Sequence, residues 1–339
     1  MNPRLTIVIG PTAGGKSDLA VALARRAGGT AAGGEVISAD SMQVYRHLDA
    51  GTAKPGADLR AAAPHHLIDV VEPTEPFTVA DWLARAEPLI DGLLARGVSP
   101  IVVGGTNLYL QALLLGLFAG PPADPAVRAE LDRLGNPALH AELAAVDRAS
   151  AARIHPNDRK KLLRALEVWR ATGRPMSAWQ TQWDEESRMS DVECRMPEPR
   201  YRRDPLLIGL NWPVDAINRR INARVKEMFF PSAEPGTRTP EPESLPAEVA
   251  RLFAAGLLGT PRSAQANEAL GYKQVLAALR GEMSMADAFE QTKIQTRRFA
   301  KRQRTWLKRF RGVCWLDPVG RTPDELAAEA LAGDAGSAR

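Results

Sequence analysis

Cysteine is nearly absent from this chain: its 339 residues include two, Cys194 and Cys314. They lie far apart and form no metal-ligand spacing, so they read as reduced thiols of a cytoplasmic protein. Long apolar runs are missing as well. Nothing approaches the roughly 18 uncharged residues that a membrane-spanning helix needs. Leu5–Ile9 is short and flows straight into a glycine loop, which is not the basic-then-apolar order of a secretory signal. A strong charge bias is lacking too, with 44 Lys plus Arg against 40 Asp plus Glu. With so small an excess, the placement of the charges says more about partners than their sum. No Ser/His/Asp or Cys/His nucleophile arrangement stands out. His65 and His66 are neighbours, which rarely chelate one metal, and His155 before Pro156 reads as structural.

What is present suits a soluble globular enzyme, at 45% hydrophobic and 25% charged residues. The length allows one large domain or two modest ones. Leu5–Ile9 is continuously apolar and β-branched, as a buried parallel strand should be. A glycine-rich turn follows at Gly10–Ser17, then a helix at Asp18–Arg26. A second strand, Glu35–Ser38, ends at Ala39, Asp40 and Ser41. Thr78–Ala95 predicts a helix with Thr78 or Asp81 near its start, and Ser99–Val103 a third strand before Gly104, Gly105 and Thr106. Strands alternating with helices predict an α/β fold, a P-loop NTPase-like parallel sheet flanked by helices.

From Asp124 to about Gln182 only helical periodicity remains, and strand chemistry returns at Leu206–Leu210. The first part of the core is therefore expected at residues 1–120 and an inserted all-helical domain at 121–200. The return to the core, with C-terminal basic helices, is expected at 201–339. Amphipathic helices are expected at Val214–Phe229 and Met285–Arg311. Asp184–Asp204 and Pro231–Pro246 read as loose, and the tail after Asp334 as frayed.

Gly10, Pro11, Thr12, Ala13, Gly14, Gly15, Lys16 and Ser17 match the P-loop spacing in full, between a strand and a helix. Small residues let successive N–H groups point at phosphate oxygens, and the helix N-terminus adds its partial positive charge. Lys16 can reach a terminal phosphate and the Ser17 hydroxyl can hold Mg²⁺. The loop binds a di- or triphosphate without saying which. Phosphoryl transfer, nucleotide hydrolysis and transfer of a group that leaves diphosphate behind all remain open.

Kinases and NTPases usually add a carboxylate at the end of an apolar strand. Ile101–Val103 ends in glycines instead, and the carboxylate appears at Asp40. Parallel strands bring their C-terminal ends to one edge, so Asp40 is expected to face the loop across the ligand crevice. There it can accept a proton, assist Mg²⁺, or merely cap a helix.

Several stretches together identify the chain as similar to the bacterial tRNA dimethylallyltransferases, also called tRNA isopentenyltransferases. They are GPTAGGKS at 10–17, SADSMQVYRHLDAGTAKP at 38–55, PHHLID at 64–69 and VGGTNLYLQALLLGL at 103–117. RIHPNDRKKLLRALEV at 153–168, GYKQ at 271–274 and TRRFAKRQRTWLKRF at 296–310 follow in the same order. The resemblance covers nearly the whole chain. It implies dimethylallyl diphosphate as donor, its diphosphate in the loop of Thr12–Ser17 with Mg²⁺. The implied acceptor is the exocyclic amine of the adenosine just 3′ of the anticodon, in tRNAs reading codons that begin with U. That base would be flipped into a channel that the donor enters from the opposite end. Asp40 matches the general base. Lys16 and Arg224 would clamp the departing diphosphate, and Arg220, four residues before Arg224, could also reach it.

The implied tRNA contacts fall on Asp40, Ser41, Met42, Gln43, Thr106 and Arg128. They continue on Lys160, Lys161, Leu162, Leu163 and Arg164, then on Glu268, Ala269, Leu270, Gly271, Tyr272 and Lys273. Relatives can carry a basic residue where Glu268 stands, and an acid facing RNA phosphate is unfavourable. Independently of the resemblance, Arg159, Lys160, Lys161 and Arg164 form a basic helical patch. Lys293–Arg311 carries nine Lys or Arg and no acid, a candidate face for the phosphates of an anticodon stem-loop. Phe299, Trp306 and Phe310 read there as an apolar stripe for the core.

Three rivals follow. A small-molecule kinase or NTPase lacks its second carboxylate here. A prenyltransferase for free adenine nucleotides would not need the basic insertion. A silent tRNA-binding protein would be indifferent to Asp40. Nothing in the sequence demands a partner subunit, so a monomer is expected.

Overall fold

The protein is described by a computed structural model at residues 3–27, 33–118, 120–122, 124–180, 201–232 and 243–337. The expected loose segments therefore fall mostly outside the described residues, together with Cys194. The chain divides into two compact units, Met1–Leu114 with Arg200–Arg339, and Leu115–Pro199.

The larger unit is built on six parallel strands: β1 (Thr6–Ile9), β2 (Gly34–Ser38), β3 (His65–His66), β4 (Ser99–Val103), β5 (Leu206–Leu210) and β6 (Val313–Leu316). Their spatial order is β3-β2-β4-β1-β5-β6. Every adjacent pair is parallel, for example Ile7 beside Val102 and Leu207. Ile7, Val8, Ile37, Val102 and Ile208 are all fully buried, as continuous apolar strands covered on both faces must be. The edge strands β3 and β6 escaped sequence analysis. A histidine pair and Val-Cys-Trp-Leu are short, half-exposed runs without strand periodicity.

The helices of this unit are α1 (Lys16–Ala27), α2 (Ala57–Ala62), α3 (Val79–Ala95) and α4 (Asn107–Leu115), the last running to the boundary. Thr78 and Asp81 close a reciprocal capping box at the start of α3. The smaller unit holds α5 (Pro125–Leu131), α6 (Asn136–Val146), α7 (Arg148–Arg153) and α8 (Arg159–Thr172). Leu131, Leu139, Leu143, Leu162 and Leu166 form its core, each worth about 1.5–3 kcal/mol of burial. In α8, Asp158 caps the first turn and left-handed Gly173 ends the last.

The larger unit resumes with α9 (Val214–Phe229), α10 (Leu245–Ala254), α11 (Tyr272–Leu279), α12 (Met285–Leu307) and α13 (Pro323–Ser337). Four expectations need correction here. α12 stops at Leu307, four residues short of Arg311. α13 continues to Ser337, past the fraying expected at Asp334. Ser244, Leu245 and Pro246 open α10 instead of ending a loose segment, because Ser244 accepts the Ala247 N–H and proline is tolerated in a first turn. Of the expected aromatic stripe, Phe310 in the turn after α12 is buried, but the stripe is not the buried face of the helix itself. Ala288, Thr292, Ala300, Gln303 and Leu307 are buried, and Phe299 and Trp306 only partly so.

Candidate active site

The turns after β1, β2 and β4 share the C-terminal edge of the sheet, because these neighbouring strands are parallel and in register. The glycine-rich loop after β1 is held from outside its own segment. Trp212 donates its indole N–H to the Gly14 carbonyl at 2.9 Å, and Arg220 donates to the Ala13 carbonyl at 2.8 Å while its guanidinium lies over the Trp212 ring. Ala13 sits at φ 59°, a left-handed conformation that turns its carbonyl outward. Among the described residues, the N–H groups of Ala13, Gly15, Lys16 and Ser17 have no protein acceptor. That arrangement suits an anion at the start of α1.

Lys16 folds back to donate to the Pro11 carbonyl at 2.8 Å. Burial and the nearby Arg224 push its pKa down to about 8, and Asp40 opposes them in part. Arg224 projects from α9, whose Ile217, Ile221, Val225 and Phe229 face the core at helical spacing. It donates to the Thr12 hydroxyl at 3.3 Å and, weakly, to the Thr52 carbonyl at 3.5 Å. Burial lowers its pKa, and Asp40 again acts in the opposite sense. Arg220 and Arg224 thus both reach the loop, the first gripping its back and the second its mouth.

Asp40 follows β2. Its Oδ1 accepts the N–H of Met42 at 2.8 Å and of Gln43 at 3.3 Å, an Asx-type turn. Among the described residues its Oδ2 has no partner. The side chain therefore both caps a turn and keeps one oxygen open. Thr106 follows β4 and joins this turn, since its hydroxyl accepts the Ser41 N–H at 2.9 Å and its own N–H reaches the Ala39 carbonyl at 3.2 Å. The approach requires Gly104, where any Cβ would collide with the Ala39 carbonyl. Gln43 bonds Ser38 and the carbonyls of Thr52 and Ala53.

Two further residues, both missed in the sequence, complete this end of the sheet. Gln303 of α12 bonds the Thr12 N–H and the Gly105 carbonyl. Glu248 of α10, 2% exposed, accepts the Asp49 and Ala50 N–H groups and the Tyr272 hydroxyl. Burial raises the Glu248 pKa. A polar residue at a buried helical position was the available signal for both.

The implied tRNA contacts sort unevenly. Asp40, Ser41, Gln43 and Thr106 gather at the site; Met42 gives its N–H to Asp40. Tyr272 and Ala269 are buried, and Tyr272 serves the Glu248 cluster by accepting the Gly51 N–H. Leu270 lies before the α11 N-cap, Gly271. Glu268 pairs with Lys273 at 3.0 Å, so its charge faces a cation. In the helical unit the Leu162 and Leu163 side chains are core. Lys160 is exposed, Lys161 pairs with Asp158, Arg164 donates to the Pro121 carbonyl, and Arg128 pairs with buried Glu167 at 2.7 Å.

His65 and His66 hold Ala63 and Glu35, and no group of three metal-ligating side chains occurs among the described residues. A single Mg²⁺ brought by a diphosphate needs less. The Ser17 hydroxyl has no protein partner among the described residues and would supply the hard oxygen such an ion prefers. No helix among the described residues is long and apolar enough to cross a membrane.

Sheet order and the glycine-rich loop between β1 and α1 define a P-loop-like α/β protein, with Asp40 presented after β2. The family model described as IPP transferase matches residues 43–310, and that of isopentenyl transferase residues 3–63. The chain belongs to the IPP transferase family. It is 44% identical over 319 residues to the tRNA dimethylallyltransferase of Anaeromyxobacter dehalogenans, covering 93% of each chain. It is 41% identical to that of Geobacillus thermodenitrificans, covering 97% of this chain and 94% of the relative. The crystal structure of the full-length tRNA isopentenylpyrophosphate transferase of Bacillus halodurans superposes with a TM-score of 0.66 at 35% identity, covering 98% and 96%. A eukaryotic dimethylallyltransferase acting on tRNA gives 0.73 at 25% identity, covering 99% of this chain and 80% of that one.

Proposed function

We propose that this protein is a tRNA dimethylallyltransferase, moving a dimethylallyl group from its diphosphate to the N6 amine of the adenosine 3′ of the anticodon. One observation supports it above the rest. A loop with unoccupied N–H groups and two half-buried cations shares a sheet edge with a carboxylate whose second oxygen is open. The curated relatives carry the same activity in their names.

In the reaction, the amine nitrogen attacks the prenyl C1, the C–O bond to diphosphate breaks, and the amine proton passes to Asp40 Oδ2. An aryl amine is a weak nucleophile, so removing its proton matters. Negative charge grows on the leaving diphosphate, where Arg224 and the loop N–H groups stand ready and Lys16 would turn from the Pro11 carbonyl to meet it. A Mg²⁺ held by Ser17 would add further neutralisation of that charge. Trp212 and Arg220 keep the loop rigid by occupying its outward carbonyls. Thr106 and Ser41 fix the turn that carries Asp40 and would meet the base edge. A kinase reading is disfavoured because β4 is followed by glycines and the acid stands in the turn after β2.

Mass spectrometry of tRNA nucleosides after incubation with dimethylallyl diphosphate, or with ATP, decides between the readings. The expected product is an adenosine heavier by one five-carbon unit, formed about 10²–10⁴-fold more slowly by Asp40→Ala. Phosphate transfer from ATP with no prenylated base would overturn the assignment.

A further inference from the structure

Gln303 lies on the inner face of α12, 2% exposed, between Ala300 and Leu307. Both ends of its amide are used. Oε1 accepts the Thr12 N–H at 2.8 Å, and Nε2 donates to the Gly105 carbonyl at 2.9 Å. Only this orientation satisfies both partners, since a backbone N–H needs an oxygen and a carbonyl needs a donor. Space has been left for it: a Cβ on Gly105 would collide with Nε2 and stand 3.9 Å from Lys16 Nζ. The two partners belong to different halves of the reaction. Thr12 is at the mouth of the phosphate loop and holds Arg224 through its hydroxyl. Gly105 precedes Thr106, which ties down the turn carrying Asp40.

We propose that Gln303 is a positioning residue for prenyl transfer, locking the loop that holds the diphosphate to the turn that presents Asp40 and Thr106. This rests on the transferase reading above. Two reactants bound on separate loops react only at the right separation, and an error of about 1 Å can cost on the order of 10²-fold in rate. An apolar side chain of equal length would leave a part-buried N–H and a buried carbonyl unpaired and let the two loops drift.

The test compares wild type, Gln303→Met, Gly105→Ala and the double variant, measuring prenyl-transfer kcat, the KM for dimethylallyl diphosphate, tRNA Kd and the melting temperature. Each single variant is expected to lose about 10–100-fold in kcat, with a raised donor KM and a tRNA Kd within about twofold of wild type. The double variant should be little worse than the poorer single, because both break one lock. Unchanged kcat and donor KM per folded molecule would overturn the proposal, leaving Gln303 a packing residue. A tRNA Kd that rises in step with the lost turnover would overturn it too, by making Gln303 an RNA contact. If Gln303→Met does not fold, Gln303→Glu serves, since it keeps the shape and the Thr12 acceptor but, ionised, cannot donate to Gly105. Wild-type turnover by that variant would sink the idea. Wild type lacking prenyl transfer defeats the transferase reading itself; active wild type with indifferent variants defeats only the lock.

Discussion

Two helices carry conspicuous rows of cations, and the structure treats them oppositely. On α8, Arg159 pairs with Asp132, Lys161 with Asp158 and Arg170 with Glu130 and Glu142, while Arg164 lies 3.7 Å from Glu167. On α12 and the turn after it, Arg298, Lys301, Arg302, Arg304 and Lys308 have no ion pair among the described residues; Lys293 alone pairs, with Glu290. Arg298, Lys301 and Arg304 line a groove against α9 with Val214, Ile217 and Asn218. Similar charge runs in sequence therefore differ in what they can offer. A cation already matched to an acid must give up that acid before it meets a phosphate, whereas an unmatched one releases only counterions.

That contrast is most easily broken by salt. Arg298→Gln with Lys301→Gln and Arg304→Gln is expected to weaken tRNA binding by about tenfold or more and to flatten its log–log salt slope by about 2 to 3. Arg159→Gln with Lys161→Gln should leave that slope nearly unchanged. Equal loss of slope in the two variants, read by titration across salt concentrations, would erase the distinction.

Lys16 lies at the less exposed end of the same scale. With its pKa pushed down to about 8, the free enzyme loses this cation as pH rises past that value. The donor kcat/KM should then fall by up to about tenfold per pH unit above 8. Bound diphosphate favours the ammonium and raises the pKa, so the limb in kcat should lie at higher pH. Binding of tRNA through the solvated arginines should stay flat over this range. A Lys16→Arg variant that keeps the same alkaline limb would show that another group titrates.

The difference between the two rows also marks how much was legible in sequence. Local chemistry announced itself. The P-loop spacing, the buried β-branched strands and the Thr78–Asp81 cap were readable because each depends on residues a few positions apart. Asp40 was readable through strand direction, and Arg224 through family likeness. What failed were features decided by distant partners. The pairing of Arg128 with Glu167 spans much of the helical unit. Gln303 and Glu248 meet loops far away in sequence. The aromatic stripe held for Phe310 but not for Phe299 and Trp306, because α12 turns Ala288, Thr292, Ala300, Gln303 and Leu307 to the core.

Glu167 offers the finest version of the contrast. It is 2% exposed, yet a half-exposed Arg128 reaches it at 2.7 Å and Arg164 at 3.7 Å. Both arginines keep access to water, so neutralising the acid does not strand them in the core. Glu167→Gln is expected to cost about 1–2 kcal/mol of stability through weakened charge-assisted contacts, read as a lowered melting temperature. Its effect on RNA should run the other way, because it releases cations instead of removing them, leaving tRNA affinity equal to wild type or up to about threefold tighter. If Glu167→Gln instead weakens tRNA binding while the melting temperature holds, the paired row of α8 is itself an RNA-binding arrangement, and ion pairing does not separate the two helices.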